Sequence, residues 1–210
     1  MQLALLVIMM GTLVLGLLVL ARMGWARRRR RRRLARAANA MGMSFSASDP
    51  FGLTRRYAAF AITAAGHSPR AENVIHGHRD GCNVRAFDYH FEAGHGPGRL
   101  ARVYCVIVFD TNVELPDALM WHLDDAGPAP LDVRGALAQA GRWLVAKGEL
   151  FAPALAEAFA EFAPEPVSLQ THEGSVMLCS SARWGPTDFT SRVDRAVAAL
   201  NGLLARHQPK

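Results

Sequence analysis

The sequence predicts an α+β fold: an antiparallel sheet of about six or seven strands with covering helices, preceded by one N-terminal transmembrane helix. Three observations predict it. Residues 3–21 carry no charge and are almost wholly apolar. Strand-like runs are joined by tight turns at Asp80-Gly81 and Glu173-Gly174. Phe189, Val193, Val197, Leu200 and Leu204 fall on one helical stripe near the C-terminus. The 210 residues leave room for one ordinary domain and an anchor. We divide them into a transmembrane anchor (1–25), an Arg-rich juxtamembrane helix (26–42) and a soluble α+β domain (43–210). A composition of 50% hydrophobic and 20% charged residues excludes a disordered or collagen-like chain.

The anchor is justified by length and by its flanks. Leu3 to Ala21 spans about 28 Å as a helix, close to a bilayer core. Its eight Leu, three Val and one Ile favour insertion by roughly 4–7 kcal/mol. A cleaved signal peptide needs a positive n-region, a shorter core and a small-residue cleavage site. Met1-Gln2 carries no side-chain charge and the core is long, so the segment reads as retained. Positive charge follows it, at Arg22, Arg27 through Arg33 and Arg36. The positive-inside rule then predicts a single-pass protein of the inner (cytoplasmic) membrane with its C-terminal domain in the cytoplasm. Trp25 is expected at the interface. Gly11 and Gly16 lie off the small-xxx-small spacing, so dimerisation through this helix is not indicated.

The first 36 residues hold nine of the 24 Lys+Arg and none of the 18 Asp+Glu, so residues 37–210 carry a net of −3. Arginines this close to a membrane each gain about 1 kcal/mol from anionic headgroups. Arg27, Arg28, Arg29, Arg30, Arg31, Arg32 and Arg33 are therefore expected to contact anionic lipid headgroups. Nucleic acid is not an expected partner, because it needs basic groups spread over a folded face with interleaved aromatics. Three distant cysteines without a C-x-x-C, and no Asn-x-Ser/Thr, fit a reducing compartment without disulfides.

Along the domain, Leu34 to Met41 should continue as helix, with Gly42 as its stop. Ser44 to Pro50 is polar and reads as an entry turn. Asn73–His78, Asn83–Phe91 and Leu100–Phe109 form an antiparallel meander whose first turn is Asp80-Gly81. In its middle strand Val84, Ala86, Asp88 and His90 face one way. Arg85, Phe87, Tyr89 and Phe91 face the other, which is the better core candidate. A strand is expected within 113–123, a loop over 124–135, and a strand over Arg142–Lys147. A helix follows over Leu150–Phe162, stopped by Pro164 and Pro166. Val167–His172 and Ser175–Ser181 make a second hairpin, and the last helix runs from about Thr187 to Arg206.

An arginine-flanked anchor is followed by Met41-Gly42-Met43-Ser44-Phe45, Asp49-Pro50-Phe51-Gly52-Leu53 and Gly66-His67-Ser68. Asn73-Val74-Ile75-x-Gly77, Gly81 and Phe87-Asp88-Tyr89 come next. This order resembles a group of uncharacterised bacterial membrane-anchored proteins carrying a domain of unknown function. The resemblance covers most of the chain and implies a bacterial, single-pass α+β protein. It supplies no catalytic residue.

Candidate chemistry is concentrated in His67, His76, His78, His90 and His95. His76 and His78 share a strand face. His90 on the paired strand approaches them if the register allows, and three imidazoles suit Zn²⁺. Solvent-facing histidines are the simpler reading, since no metal-site spacing is present. Asp88 and His90 read either as an acid–base pair or as an exposed face, the latter preferred. Asp124-Asp125 near His122 reads as a solvated loop, and Cys82 as an exposed thiol. These observations predict a non-enzymatic module that uses no cofactor. Its partners are the membrane through residues 3–21, lipid headgroups and an unidentified protein. The alternative is a metal- or His/Asp-dependent enzyme using the His67–His95 region.

Overall fold

The computed structural model describes residues 2–94, 96–125, 133 and 138–207, without the side chains of residues 2–8 and 97. Helix α1 (Gln2–Ala40) is one unbroken element of 39 residues. Leu, Ala and Arg dominate it, and no proline interrupts it. It stops where expected. Gly42 takes φ 71°. The Gly42 N–H donates to Asn39 C=O at 3.0 Å and the Met43 N–H to Ala38 C=O at 2.9 Å. Both bonds satisfy carbonyls that a helix end leaves open, and the left-handed turn favours glycine.

Strand β1 (Ser44–Ser48) replaces the expected entry turn. It pairs with β2, Phe45 opposite Ile75, and its definition comes from that neighbour rather than from its own polar residues. Asp49 then accepts hydrogen bonds from the N–H groups of Phe51 (2.9 Å) and Leu53 (2.6 Å), starting the short α2 (Leu53–Arg56). The meander follows as β2 (His67–Arg79), β3 (Cys82–Ala93) and β4 (Leu100–Asp110). Its first turn has positive φ at Asp80 (47°) and Gly81 (86°), as a two-residue hairpin requires.

Next come β5 (Ala118–His122), β6 (Ala138–Ala140) and β7 (Trp143–Lys147). Much of the expected 124–135 loop lies outside the described residues. Helix α3 (Ala152–Ala158) is shorter than the expected Leu150–Phe162, which ends in a 3-10 turn over Ala160–Phe162. The hairpin β8 (Ser168–His172) and β9 (Ser175–Ser180) turns at Glu173-Gly174 as expected. Helix α4 (Pro186–His207) closes the chain.

The nine strands among the described residues form one antiparallel sheet, ordered β1-β2-β3-β4-β9-β8-β5-β7-β6. The α+β class holds, and the sheet is larger than the expected six or seven strands. The two additional strands, β1 and β6, are its edges. The β8–β9 hairpin joins the two halves, β9 pairing with β4 and β8 with β5.

Both faces are covered, which corrects the expectation of one core face on β3. One face carries Val84, Ala86, Cys105, Ile107 and Phe109 under α3, α4 and the second half of α1. The other carries Phe87, Tyr89, Tyr104, Val106 and Val108 under Leu53, Tyr57, Phe60 and Ile62. Strands buried on both sides read as continuous apolar runs, as Val103–Phe109 does. Leu34 and Ala38 of α1 are fully buried against the sheet, whereas Leu13, Leu17 and Trp25 stand exposed.

Candidate functional site

Docking of α1 on the sheet builds the most developed polar constellation among the described residues. Asp88 lies mid-strand on β3, and its side chain is 2% exposed. A carboxylate there needs cationic and hydrogen-bonding partners to offset its lost hydration. Arg30 supplies them: Nη2 donates to Oδ1 at 2.9 Å and Nε donates to Oδ2 at 3.3 Å. Its Nη1 donates to the Trp184 carbonyl at 2.8 Å, tying α1 to the chain just before α4. Asn73 Nδ2 donates to Oδ2 at 2.8 Å. Asn73 sits in a β-bulge at φ 55°, a conformation asparagine tolerates, and the bulge aims its side chain at Asp88. Cys105 Sγ donates weakly to Oδ1 at 3.5 Å and accepts from the Trp184 N–H at 3.4 Å. With its oxygens so engaged, Asp88 acts as a tether. The expected exposed face at Asp88 and His90 is corrected: α1 covers Asp88, and His90 is half-buried.

Helical geometry divides the arginine run. Arg30 turns inward to Asp88, and Arg31 approaches Glu72 at 3.7 Å. These two expected headgroup contacts therefore face the domain. Trp25, Arg28, Arg32 and Arg36 lie on the far side of α1, with Arg29 and Arg33 on its flank and the Arg29 guanidinium 5.3 Å from the Trp25 ring.

A second cluster pins the 53–65 cover. Arg85 pairs with Asp110 and donates to Tyr57 Oη at 3.0 Å, while Tyr57 Oη–H donates to Asp110 at 3.1 Å. Ser175 Oγ donates to the same carboxylate at 2.9 Å. Burial, then the Asp110 charge, pushes the Tyr57 hydroxyl pKa up.

The register separates the histidines. His76 lies opposite Arg85 and His90 opposite Arg70, well apart along the same strand pair. His76 packs edge-on against Phe51, and His78 meets Asn83 at 3.4 Å. Burial holds both His76 and His90 below the ordinary imidazole range. His95 lies outside the described residues. Among the described residues, no three His, Cys, Asp or Glu converge on a metal position.

The solvated position expected at Asp124-Asp125 holds for Asp124 and is corrected for Asp125. His122 is buried: Nε2 donates to Ala163 C=O at 2.9 Å and Nδ1 accepts from the Asp124 N–H at 3.1 Å. Asp125 is buried beside Ser181, and Asp124 pairs with Arg142 at the surface.

Cys82 is 3% exposed and not the expected open thiol. Burial raises its pKa, with Asp80 adding to the effect. Cys105 is pushed up to about 12 by burial and then by Asp88, and burial holds Cys179 well above the usual range. Because the thiolate is the reactive form, none of the three should react quickly with a disulfide reagent in native protein at about pH 8. All three should react in guanidinium. Fast labelling of any thiol in the native state would contradict this burial.

Sequence reading missed Asn73, Trp184 and the inward role of Arg30. Asp88 inside Phe87-Asp88-Tyr89 was the available signal, since a carboxylate in so apolar a strand requires a cation.

No protein-family model matches this chain, and no curated protein matches it. Among solved structures it is similar to the crystal structure of the mycobacterial trehalose monomycolate transport factor A, TtfA. The TM-score is 0.60 at 17% identity, over 83% of this chain and 93% of that one. At that identity the likeness shows a shared fold.

Proposed function

We propose that this chain is a membrane-held, non-enzymatic module whose domain engages another protein or lipid headgroups at the membrane face. One observation carries the reading: α1 is apolar and uncovered in its first half, yet built into the domain in its second. Leu13, Leu17, Leu18 and Leu20 are each more than half exposed, while Leu34 and Ala38 are buried and Arg30 holds Asp88. A bilayer covers an apolar helix of this length at no cost in backbone hydrogen bonds. The positive-inside rule supports a cytoplasmic domain, and Arg27, Arg28 and Arg29 lie nearest the headgroups. The fold likeness to a transport factor favours a binding role over a catalytic one, and we extend it to an accessory role in membrane transport.

Full-length chain should remain in the membrane pellet after alkaline carbonate extraction. Replacing Leu13 and Leu17 with arginine costs about 2.5–3.5 kcal/mol each at the bilayer centre and should move it to the soluble fraction. Protease added to intact cells should spare the domain and digest it after permeabilisation. A freely soluble wild-type chain refutes the anchor, and digestion in intact cells refutes the orientation.

A further inference from the structure

The outward arginines of α1 extend further than lipid contact requires. Trp25, Arg28, Arg29, Arg32, Arg33 and Arg36 share one helix face and line a shallow groove of about 470 Å³. None of these arginines meets a carboxylate among the described residues; Arg30 and Arg31, which do, turn toward the domain.

Depth separates the stripe into two parts, on the premise of the membrane reading above. If the hydrocarbon core ends near Ala21, Arg28 lies about 10 Å beyond it along the helix and Arg36 about 22 Å beyond. The headgroup layer is only about 5–8 Å deep, and a tilt of about 20° shortens these depths by less than a tenth. Side chains on a helix lean toward its N-terminus, so Arg28 and Arg29 can reach back to headgroups. Arg32, Arg33 and Arg36 project past them.

We propose that Arg32, Arg33 and Arg36, continued toward the membrane by Arg28 and Arg29, form a docking face for an acidic helical segment of a membrane-embedded partner protein. The partner's own transmembrane helix would run beside α1 and emerge on the same side. Arg28, Arg32 and Arg36 recur every four residues, placing a guanidinium about every 6 Å, the pitch at which a neighbouring helix presents carboxylates at i and i+4. Guanidinium groups bind carboxylates bidentately. Residues 37–210 carry a net of −3, so an acidic segment is drawn to this face and away from the rest of the surface. The apolar half of α1 is exposed and leaves room for a neighbour in the bilayer. Single-stranded nucleic acid asks for interleaved stacking rings, and this stripe has one, Trp25, at its membrane end.

The test uses the full chain in nanodiscs of neutral phosphatidylcholine. The probe is a synthetic Leu/Ala transmembrane helix of about 20 residues continuing into a helical tail with glutamates at four-residue spacing. A second probe carries glutamine instead. Energy transfer should show the glutamate probe associating at least about tenfold more tightly than the glutamine probe. That preference should vanish in R32Q/R33Q/R36Q and survive an equal loss of domain charge in R55Q/R142Q/R206Q. No preference in wild-type chain, or a preference that survives R32Q/R33Q/R36Q, overturns the inference. If the preference survives and that variant instead loses binding to phosphatidylserine nanodiscs or to single-stranded RNA, the stripe belongs to that ligand. Failure of the chain to enter nanodiscs refutes the membrane reading and this inference together. Failure of discrimination in a chain that does enter refutes the inference alone.

Discussion

Asp88→Ala is expected to destabilise the domain by about 3–5 kcal/mol, because removing one member of a buried ion pair strands the other. Arg30, 17% exposed, would keep its charge against the sheet without a carboxylate, and Asn73 Nδ2 would lose its acceptor. The damage should be directional. Arg30 also holds the Trp184 carbonyl, so loss of the clasp loosens α1 from both the sheet and the chain entering α4. Urea unfolding of the full chain in detergent, followed by tryptophan fluorescence, measures the cost. Hydrogen exchange over residues 30–40 measures the loosening. The paired change Arg30→Met with Asp88→Leu should be clearly more stable than either single change, since apolar replacement of both partners is often neutral or better. Single changes costing under about 1 kcal/mol would show that Asp88 does not hold α1.

The second large effect is expected at Trp143, whose truncation to alanine should cost about 3–5 kcal/mol. Trp143 is 1% exposed, stands edge-on to His122 at 5.7 Å, and donates Nε1–H to the Val167 carbonyl at 2.7 Å. It therefore fills the core under α3 and fixes the approach of the chain to β8. Trp143→Phe keeps much of the packing and leaves the Val167 carbonyl unpaired, at an expected cost of about 1–3 kcal/mol. Leu150, fully exposed, is the internal control, and its replacement by alanine should stay within about 0.5 kcal/mol. Comparable midpoints for Trp143→Ala and Leu150→Ala would contradict the assigned core.

Local chemistry explains which parts of the fold were legible in the sequence. Asp80-Gly81 and Glu173-Gly174 specify their hairpins through positive φ, and Gly42 specifies the end of α1. The α4 stripe, Phe189 through Leu200, is buried as its spacing requires. Strands β1 and β6 were not legible because a short polar edge takes its conformation from the strand beside it. The 53–65 cover has no regular period, since Leu53, Tyr57, Phe60 and Ile62 are delivered by one short helix and successive turns. The burial of Asp88 depended on which arginine among seven consecutive ones would face the sheet. That choice is made by the angle at which Leu34 and Ala38 seat α1, a tertiary fact with no signature in the run itself.

The continuity of α1 means that the domain has no independent bearing. No break in the helix separates the apolar stretch from the turn that carries Arg30 and Leu34, so a roll or lean imposed on the former is passed on toward the sheet. Each residue of helix advances by about 100° around its axis, so the side the domain presents to its surroundings is set by residue count. The stem acts less as a leash than as a keyed shaft, and heading is inherited along with position.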